Sequence, residues 1–236
     1  MIHFLSGYEL SSNKALKRSM HRDRARQFHE RLQWEVSVDG NGEEIDEYDS
    51  LNPLYIIASD EMGSHEGSMR LLPTTGRTMV NEHFLEVTDG VQIVSPNIWE
   101  CTRFCISPSA GRLVAPQLLA AGAFLMRQCC IDNLVGVFDS KMEKIYSFLG
   151  APPTIIGRRV RGGEELGVGL WEFDETLYHK ILARARLSPE ALDAAFKISS
   201  EEPAPESSNS SVQIDRIAHR TEMQVNSRMQ EQNAAA

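Results

Sequence analysis

Four charged residues sit inside stretches that are otherwise apolar, and they constrain the fold more than any other feature of the chain. In residues 13–33 the apolar positions Leu16, Met20, Phe28 and Leu32 follow at i+4 steps, and the missing member of the series is Arg24. Arg70 interrupts the run SMRLL, and Glu100 and Arg103 flank Cys101 and Thr102 in WECTRFCI. A charge buried among apolar groups is costly unless a partner neutralises it. The chain must therefore thread these groups out to water or bring distant residues together. For Arg24 the spacing favours the first solution, a guanidinium that snorkels out at the edge of the stripe. The second solution needs carboxylates, and residues 39–49, DGNGEEIDEYD, supply six with no Lys or Arg. The default for such a charge run is a solvated loop. Alternatively Arg24, Arg70 and Arg103 are neutralised by Asp46, Asp49 and Glu100 around a cleft. Purely structural ion pairs account for the same pattern.

The chain has 236 residues, with 24 Lys+Arg against 33 Asp+Glu and a net charge of −9. That length fits one domain with an appendage. The acidic balance argues against a general nucleic-acid partner. The longest charge-free stretch, residues 113–126, is too short to span a bilayer. The start, MIHFLSGYELSSNK, has neither the basic n-region nor the apolar run of a secretory signal. The expectation is a cytoplasmic protein with no membrane partner. Cysteines 101, 105, 129 and 130 form no CxxC pair and read as reduced thiols rather than disulfides or a metal site.

Residues 13–33, free of Pro and Gly, predict one helix. Residues 54–59 and 68–72 predict strands joined by the polar hairpin SDEMGSHEG, with further strands at 91–94 and 99–106. There follow a helix at 116–130, a wholly apolar strand at 134–138, and a helix at 141–149 ended by Gly150. Short strands at 155–156 and 171–173 precede helices at 176–185 and 188–196. This order predicts an α/β (α+β) layer structure around a mixed sheet. Residues 201–211, EEPAPESSNSS, cannot bury enough surface to offset their ordering entropy. The domain is accordingly set at 1–200. Residues 201–236 read as a flexible tail with an optional short helix around Val212, Ile214, Ile217 and Met223.

No Walker A loop, GxSxG elbow, HExxH or GxGxxG is present, and no two of the seven His residues stand at helical metal-ligand spacing. No metal is expected. Five blocks carry the more specific signal: MHRDRARQFHERLQWEV, EIDEYDSLNPLYIIA, GSMRLLPTTG, NEHF and WECTRFCI. Together they resemble the acyl-homoserine-lactone synthases, the LuxI-type autoinducer synthases of quorum sensing. The family's Arg, Phe and Trp at the end of the first helix are matched by Arg24, Phe28 and Trp34. Its two loop Asp are matched by Asp46 and Asp49, the Arg before Leu-Leu-Pro-Thr-Thr by Arg70, and the next Phe by Phe84. The Glu and Arg of its Glu-x-x-Arg-Phe strand are matched by Glu100 and Arg103.

The resemblance implies a fold similar to the GNAT acyltransferases, a mixed, twisted sheet with helices on both faces. It implies that the amine of S-adenosylmethionine, a substrate and not a cofactor, takes an acyl group from a thioester on acyl carrier protein. The methionyl carboxylate then closes the lactone and expels methylthioadenosine. In that scheme Glu100 is the expected base, with Arg103 beside it and an oxyanion donor nearby. Phe28 and Trp34 face the sulfonium. One arginine binds the methionyl carboxylate, while Asp46 and Asp49 bind the amine and brace Arg24 and Arg70. Phe84, Thr102 and Gly136 line the passage for the thioester arm and chain. Gly136 stands where many 3-oxo-specific relatives have Thr, which favours an unsubstituted or 3-hydroxy chain and leaves extra room. The sequence SPSAGRLVAPQ lacks a glycine-rich pyrophosphate loop, in keeping with a carrier-protein donor, though acyl-CoA stays open. An acidic carrier needs a basic surface, for which Arg158, Arg159 and Arg161 of GRRVRGG, helped by Arg127, Lys141 and Lys144, are the candidates. The alternative for that cluster is a solvated turn. The rival activity is a GNAT-like N-acyltransferase acting on another amine.

Overall fold

A computed structural model describes residues 1–201, with side chains to 198; the expected tail and its optional helix lie outside the described residues. Seven strands form one sheet in the order β1-β2-β3-β4-β5-β7-β6. They are β1 (Ile2–Ser6), β2 (Leu54–Ser59), β3 (His65–Pro73), β4 (Ile98–Ile106), β5 (Asn133–Asp139), β6 (Thr154–Arg161) and β7 (Glu164–Glu172). Strands β1 to β4 run as an antiparallel meander, β4 and β5 pair in parallel, and β7 pairs antiparallel with both β5 and β6. The sheet is thus mixed, as the order of elements predicted.

Helices cover both faces. On one lie α4 (Val114–Gln128), α5 (Ser140–Leu149), α6 (Glu175–Ala185) and α7 (Pro189–Glu201). Here Ile56, Met69 and Leu71 of the sheet pack against Leu118, Phe124 and Leu125 of α4 and Tyr178 and Ile181 of α6. Adjacent strand residues point to opposite faces. The other face is accordingly built from Tyr55 and Ile57 under α1 (Gly7–Ser12) and α2 (Lys14–Arg24), and from Val135 and Val168 under the short α3 (Met79–His83).

Several expected elements change form. The single helix over 13–33 is α-helical only to Arg24, and residues Ala25–Arg31 continue as a π-helix. It ends where Gln33 adopts a left-handed backbone with φ of 57° and the Trp34 amide donates to the Phe28 carbonyl. No strand forms at 91–94. The Ile93 amide and carbonyl are satisfied by the Asn81 side-chain amide at 2.8 Å each, so a side chain takes the place of a neighbouring strand. The cluster GRRVRGG is not a turn in its arginine part: Arg158–Arg161 belong to β6, and only Gly162 and Gly163, with φ of 60° and 86°, make the tight link to β7.

Gly157 marks the closest approach on this edge. A β-carbon there would overlap the Val87 carbonyl oxygen, so β6 lies directly against the backbone of the 3₁₀ turn Leu85–Thr88. Gly157→Ala forces the two backbones apart. Overpacking of this kind costs about 1–3 kcal/mol, and a chain of this size should lose roughly 3–10 °C in Tm. Thermal unfolding followed by circular dichroism measures it, and a shift under about 1 °C contradicts the packing.

Candidate active site

Glu100 and Arg103 are three apart in a strand, a spacing that normally puts side chains on opposite faces. A β-bulge removes the conflict. Ser68 pairs with Cys105 but Arg70 pairs with Thr102, so β4 carries one residue more than β3 across this step. Arg103 takes up the excess with a left-handed backbone, φ 53°. This conformation is costly for a residue with a side chain and persists only where its surroundings fix it. Glu100, Thr102 and Arg103 consequently share one face of the sheet with Arg70, while Cys101 and Phe104 join the apolar core on the other.

The loop before β2 is placed by its own backbone. The Glu44 amide donates to the His21 carbonyl of α2, and His21 Nδ1 donates to the Glu44 carbonyl at 2.7 Å. Asp46 and Asp49 then cap the 3₁₀ turn Glu47–Leu51 reciprocally. The Asp46 carboxylate accepts from the Tyr48 and Asp49 amides, and the Asp49 carboxylate accepts from the Asp46 amide. Their spacing of three residues is what this double cap requires.

Three arginines and three carboxylates do neutralise one another, but the third carboxylate is Glu44, not Glu100. Arg24 does not snorkel out; its side chain is 1% exposed. Its Nε reaches Glu44 at 2.5 Å, and its two terminal nitrogens clamp Asp49 at 2.9 and 3.0 Å. Arg70 holds both Asp46 oxygens, at 2.5 and 2.9 Å, and Asp49 at 2.8 Å, while its Nε donates to Thr102 Oγ1. Arg103 bridges Glu44 at 2.9 Å and Asp46 at 2.8 Å. Tyr55 donates its hydroxyl to Asp49 at 2.5 Å. Burial opposes the charge on Asp49 and Asp46. It is outweighed by Arg24 and Arg70 at Asp49, and by Arg70 and Arg103 at Asp46, and both carboxyls lie below the ordinary range. Arg103 is the least enclosed of the three guanidiniums, and among the described residues one of its terminal nitrogens meets only the Met79 sulfur, at 3.6 Å.

Glu100 stands outside this network. Its carboxylate, 1% exposed, accepts from the backbone amides of Val80 at 2.6 Å and Met79 at 3.0 Å. Among the described residues no ion pair joins it to Arg103. Burial pushes its pKa up to about 6, against the pull of those two amides and of Arg70 and Arg103. Phe28 and Trp34 stack with ring centroids 5.3 Å apart and planes within 9°. Arg103 lies over the Phe28 ring at 5.4 Å. Phe28 is buried and Trp34 half-buried.

The ladder between β4 and β5 has only three residue pairs and stops at Glu100–Val135. Beyond it the strands separate, and an apolar cavity of about 770 Å³, counting its open mouth, lies on the α4 face behind Cys101 and Gly136. Gly136 does not leave extra room there. A β-carbon would stand 3.1 Å from the Cys101 carbonyl and 3.2 Å from the Trp171 ring, so Trp171 already fills the space. Phe84 packs beside the Val80, Val87, Val135 and Val168 cluster, with Arg161 over its ring at 5.6 Å.

A family model described as autoinducer synthase matches residues 7–170. An acyl-homoserine-lactone synthase of Rhizobium etli is 38% identical over 179 residues, 73% of this chain and 84% of that protein. The chain belongs to the autoinducer synthase family. It is therefore an acyltransferase that makes an acyl-homoserine lactone, with the GNAT-like fold of such enzymes. The crystal structure of the AHL synthase LasI superposes on the synthase with a TM-score of 0.66 at 31% identity, covering 74% of this chain and 90% of that one. The structure of a CoA-dependent acyl-homoserine lactone synthase, BjaI, with SAM and isopentyl-CoA, gives a TM-score of 0.72 at 20% identity over 83% and 98%, a likeness of fold.

Other expected residues lie apart from the site. The β6 arginines are exposed and each meets an acid or a carbonyl: Arg158 pairs with Glu143 and Glu165, Arg159 with Asp89, and Arg161 with Glu86. Among the described residues of the synthase, no helix is long and apolar enough to cross a membrane. Glu44 is the residue that sequence reasoning missed. It is one of six acids in its loop, and its apolar neighbour Ile45 is itself exposed, so no local pattern marks it. Removing one member of a buried ion network leaves its partners uncompensated, at about 3–5 kcal/mol. Glu44→Gln should therefore lower Tm by roughly 6–20 °C, and Glu43→Gln, on the exposed Arg18 pair, by about 2 °C or less. Equal shifts for the two variants would contradict the network.

Proposed function

We propose that the synthase acylates the α-amine of S-adenosylmethionine with a thioester delivered by acyl carrier protein. The amine attacks the thioester carbonyl, and a tetrahedral intermediate collapses with loss of the carrier thiol. The methionyl carboxylate then displaces methylthioadenosine from its own γ-carbon, closing the lactone. The observation that carries this reading is the seam at Glu100–Val135, with a charged cleft on one face of the sheet and an apolar cavity on the other. An amine acceptor and an acyl chain need those two environments side by side.

Glu100 is the base. An α-amine with an ordinary pKa of roughly 7.7–8.0 is mostly protonated at neutral pH. Asp46 and Asp49 are poor proton acceptors because their arginines hold them ionised. Glu100, near 6, is ionised at pH 7 yet still basic enough to take the proton, directly or through one water. Among the described residues Arg103 has a terminal nitrogen in contact with only a sulfur, which suits it to the methionyl carboxylate or the developing oxyanion. Arg24 and Arg70 are positioning residues that hold Asp49 and Asp46 toward the amine. The half-buried Trp34, backed by Phe28, offers a ring face to the sulfonium, worth roughly 0.5–2 kcal/mol. Phe84, Thr102 and Gly136 border the passage of the acyl arm. No metal or cofactor enters the scheme. Four free thiols agree with a cytoplasmic setting.

Mass spectrometry of purified protein with S-adenosylmethionine and a panel of acyl-carrier-protein and acyl-CoA thioesters tests the reading. Methylthioadenosine should appear with one acyl-homoserine lactone, fastest from a carrier thioester. Acylation of S-adenosylmethionine only from acyl-CoA would replace the donor. In the same assay kcat/KM should rise with pH through a midpoint near 6, and Glu100→Gln should lose about 10²–10⁴-fold. A variant within threefold of wild type removes Glu100 from the base role.

The exposed pairs of Arg158, Arg159 and Arg161 contribute little to stability and can be exchanged for carboxylates of an acidic carrier. Reversing all three charges should raise KM for the acylated carrier about tenfold and leave KM for S-adenosylmethionine within twofold. An unchanged carrier KM rules this surface out.

A further inference from the structure

One residue of the site touches three of its charged groups and carries no charge of its own. Met79, the first residue of α3, donates its backbone amide to Glu100 at 3.0 Å. Its sulfur stands 3.6 Å from a terminal nitrogen of Arg103 and 3.7 Å from one of Arg70. That Arg70 nitrogen also holds Asp46, at 2.9 Å. Among the described residues the Arg103 nitrogen has no acceptor other than the sulfur. A thioether is a weak acceptor, so it keeps this N–H in place and still yields it to a substrate oxygen.

Oxidation would turn the same sulfur into a strong acceptor. With hydrogen peroxide, a sulfur lone pair attacks one oxygen, the O–O bond breaks, and the other oxygen leaves with the protons as water. Sulfur loses two electrons, peroxide gains them, and a flexible apolar side chain becomes a polar sulfoxide. The added oxygen takes the place of a lone pair. At Met79 two guanidinium N–H groups converge on the sulfur, so the new oxygen meets them in charge-assisted hydrogen bonds. It then fills the Arg103 position that the thioether leaves to substrate.

The surroundings favour this sulfur over the other groups that peroxide attacks. Met20, Met69 and Met126 are buried, while Met1 and Met62 are exposed but have no place in the site. Met79 is half-buried. Thiols react with peroxide as thiolates, and burial pushes Cys101, Cys105 and Cys129 up to about 12, which keeps these three neutral. We propose that Met79 is a modification site, whose oxidation by peroxide to the sulfoxide caps Arg103 and reversibly shuts the synthase off. This rests on the reading that Arg103 receives the methionyl carboxylate or the oxyanion.

The test exposes the full-length enzyme to hydrogen peroxide, follows methylthioadenosine release, and reads the sulfoxide fraction at each methionine by peptide mass spectrometry. Loss of activity should track the fraction at Met79 and not the fractions at Met1 and Met62, which oxidise first. At full conversion kcat/KM for S-adenosylmethionine should fall about tenfold or more, as for loss of a hydrogen bond to a charged group. Methionine sulfoxide reductases for both epimers should restore it, and a thiol reductant alone should not. Met79→Leu, compared with itself before and after peroxide, should lose less than about twofold, since it has no sulfur to oxidise at this position. An equal fractional loss in Met79→Leu would overturn the proposal. So would recovery with thiol reductant alone, which places the effect at cysteine, or a Met79 that stays unoxidised once Met62 is complete. Where the variant is itself inactive, the wild-type time course decides: a loss that follows Met1 or Met62 overturns the proposal and one that follows Met79 supports it. An untreated wild type that releases no methylthioadenosine fails the functional reading and this proposal with it. An active enzyme that keeps its rate with Met79 fully oxidised fails the proposal alone.

Discussion

Six charges that cancel hold the site together. Arg24, Arg70 and Arg103 against Glu44, Asp46 and Asp49 tie α2, the loop before β2, β3 and β4 into one body. None of these groups is stable there alone, because each would be a desolvated charge. Together they make most of the contacts that a guanidinium or carboxylate can make. Polar groups fixed in this way do not reorganise when a charged substrate arrives, which is the condition for electrostatic catalysis. The same network explains why the acidic loop folds down rather than staying solvated: its backbone is docked on His21 and its acids meet three guanidiniums.

Two irregularities in β4 turn that body into a cleft. The bulge at Arg103 moves its side chain to the face that carries Arg70 and Glu100. The early end of pairing with β5 opens the sheet one residue beyond Glu100. A regular strand would have satisfied the backbone on both sides and put Arg103 in the apolar core. The departures from regularity therefore fall where polar cleft and apolar cavity meet, and the left-handed Arg103 backbone is held there by bonds to Glu44 and Asp46.

Much of this was legible in the residues. Charges at 24, 70, 100 and 103 inside apolar runs raised a mutually neutralised cleft as one reading, beside plain structural ion pairs and a snorkelling Arg24, and the order of helices and strands pointed to a mixed sheet. The snorkelling Arg24 failed because stripe spacing tells which way a side chain points and not what waits there; the partners are Glu44 and Asp49, both in the acidic loop. Glu44 was hidden among five other acids for the same reason. The expected strand at 91–94 failed because apolar alternation cannot reveal that Asn81 would satisfy Ile93. Gly136 as a source of space failed because room at a glycine depends on what faces it, here Trp171 and the Cys101 carbonyl. The bulge has no sequence signal of its own, since Arg103 stands where a glycine would normally mark one.

The separation of Glu100 from the network has a chemical consequence. Asp46 and Asp49 lie below the ordinary range, so their contribution to stability is full above a pH of about 4 and is lost as pH falls through their depressed values. Glu100 has the opposite sign. Its raised pKa favours the protonated form in the folded protein, a contribution present below its unfolded value and lost as pH rises through about 6. At neutral pH the fold thus gains from the paired acids and sustains one ionised carboxylate that it would rather hold protonated. Had Glu100 joined the arginines, the fold would gain stability and the carboxylate would lose its basicity. Two backbone amides in place of a guanidinium keep Glu100 fixed without making it inert.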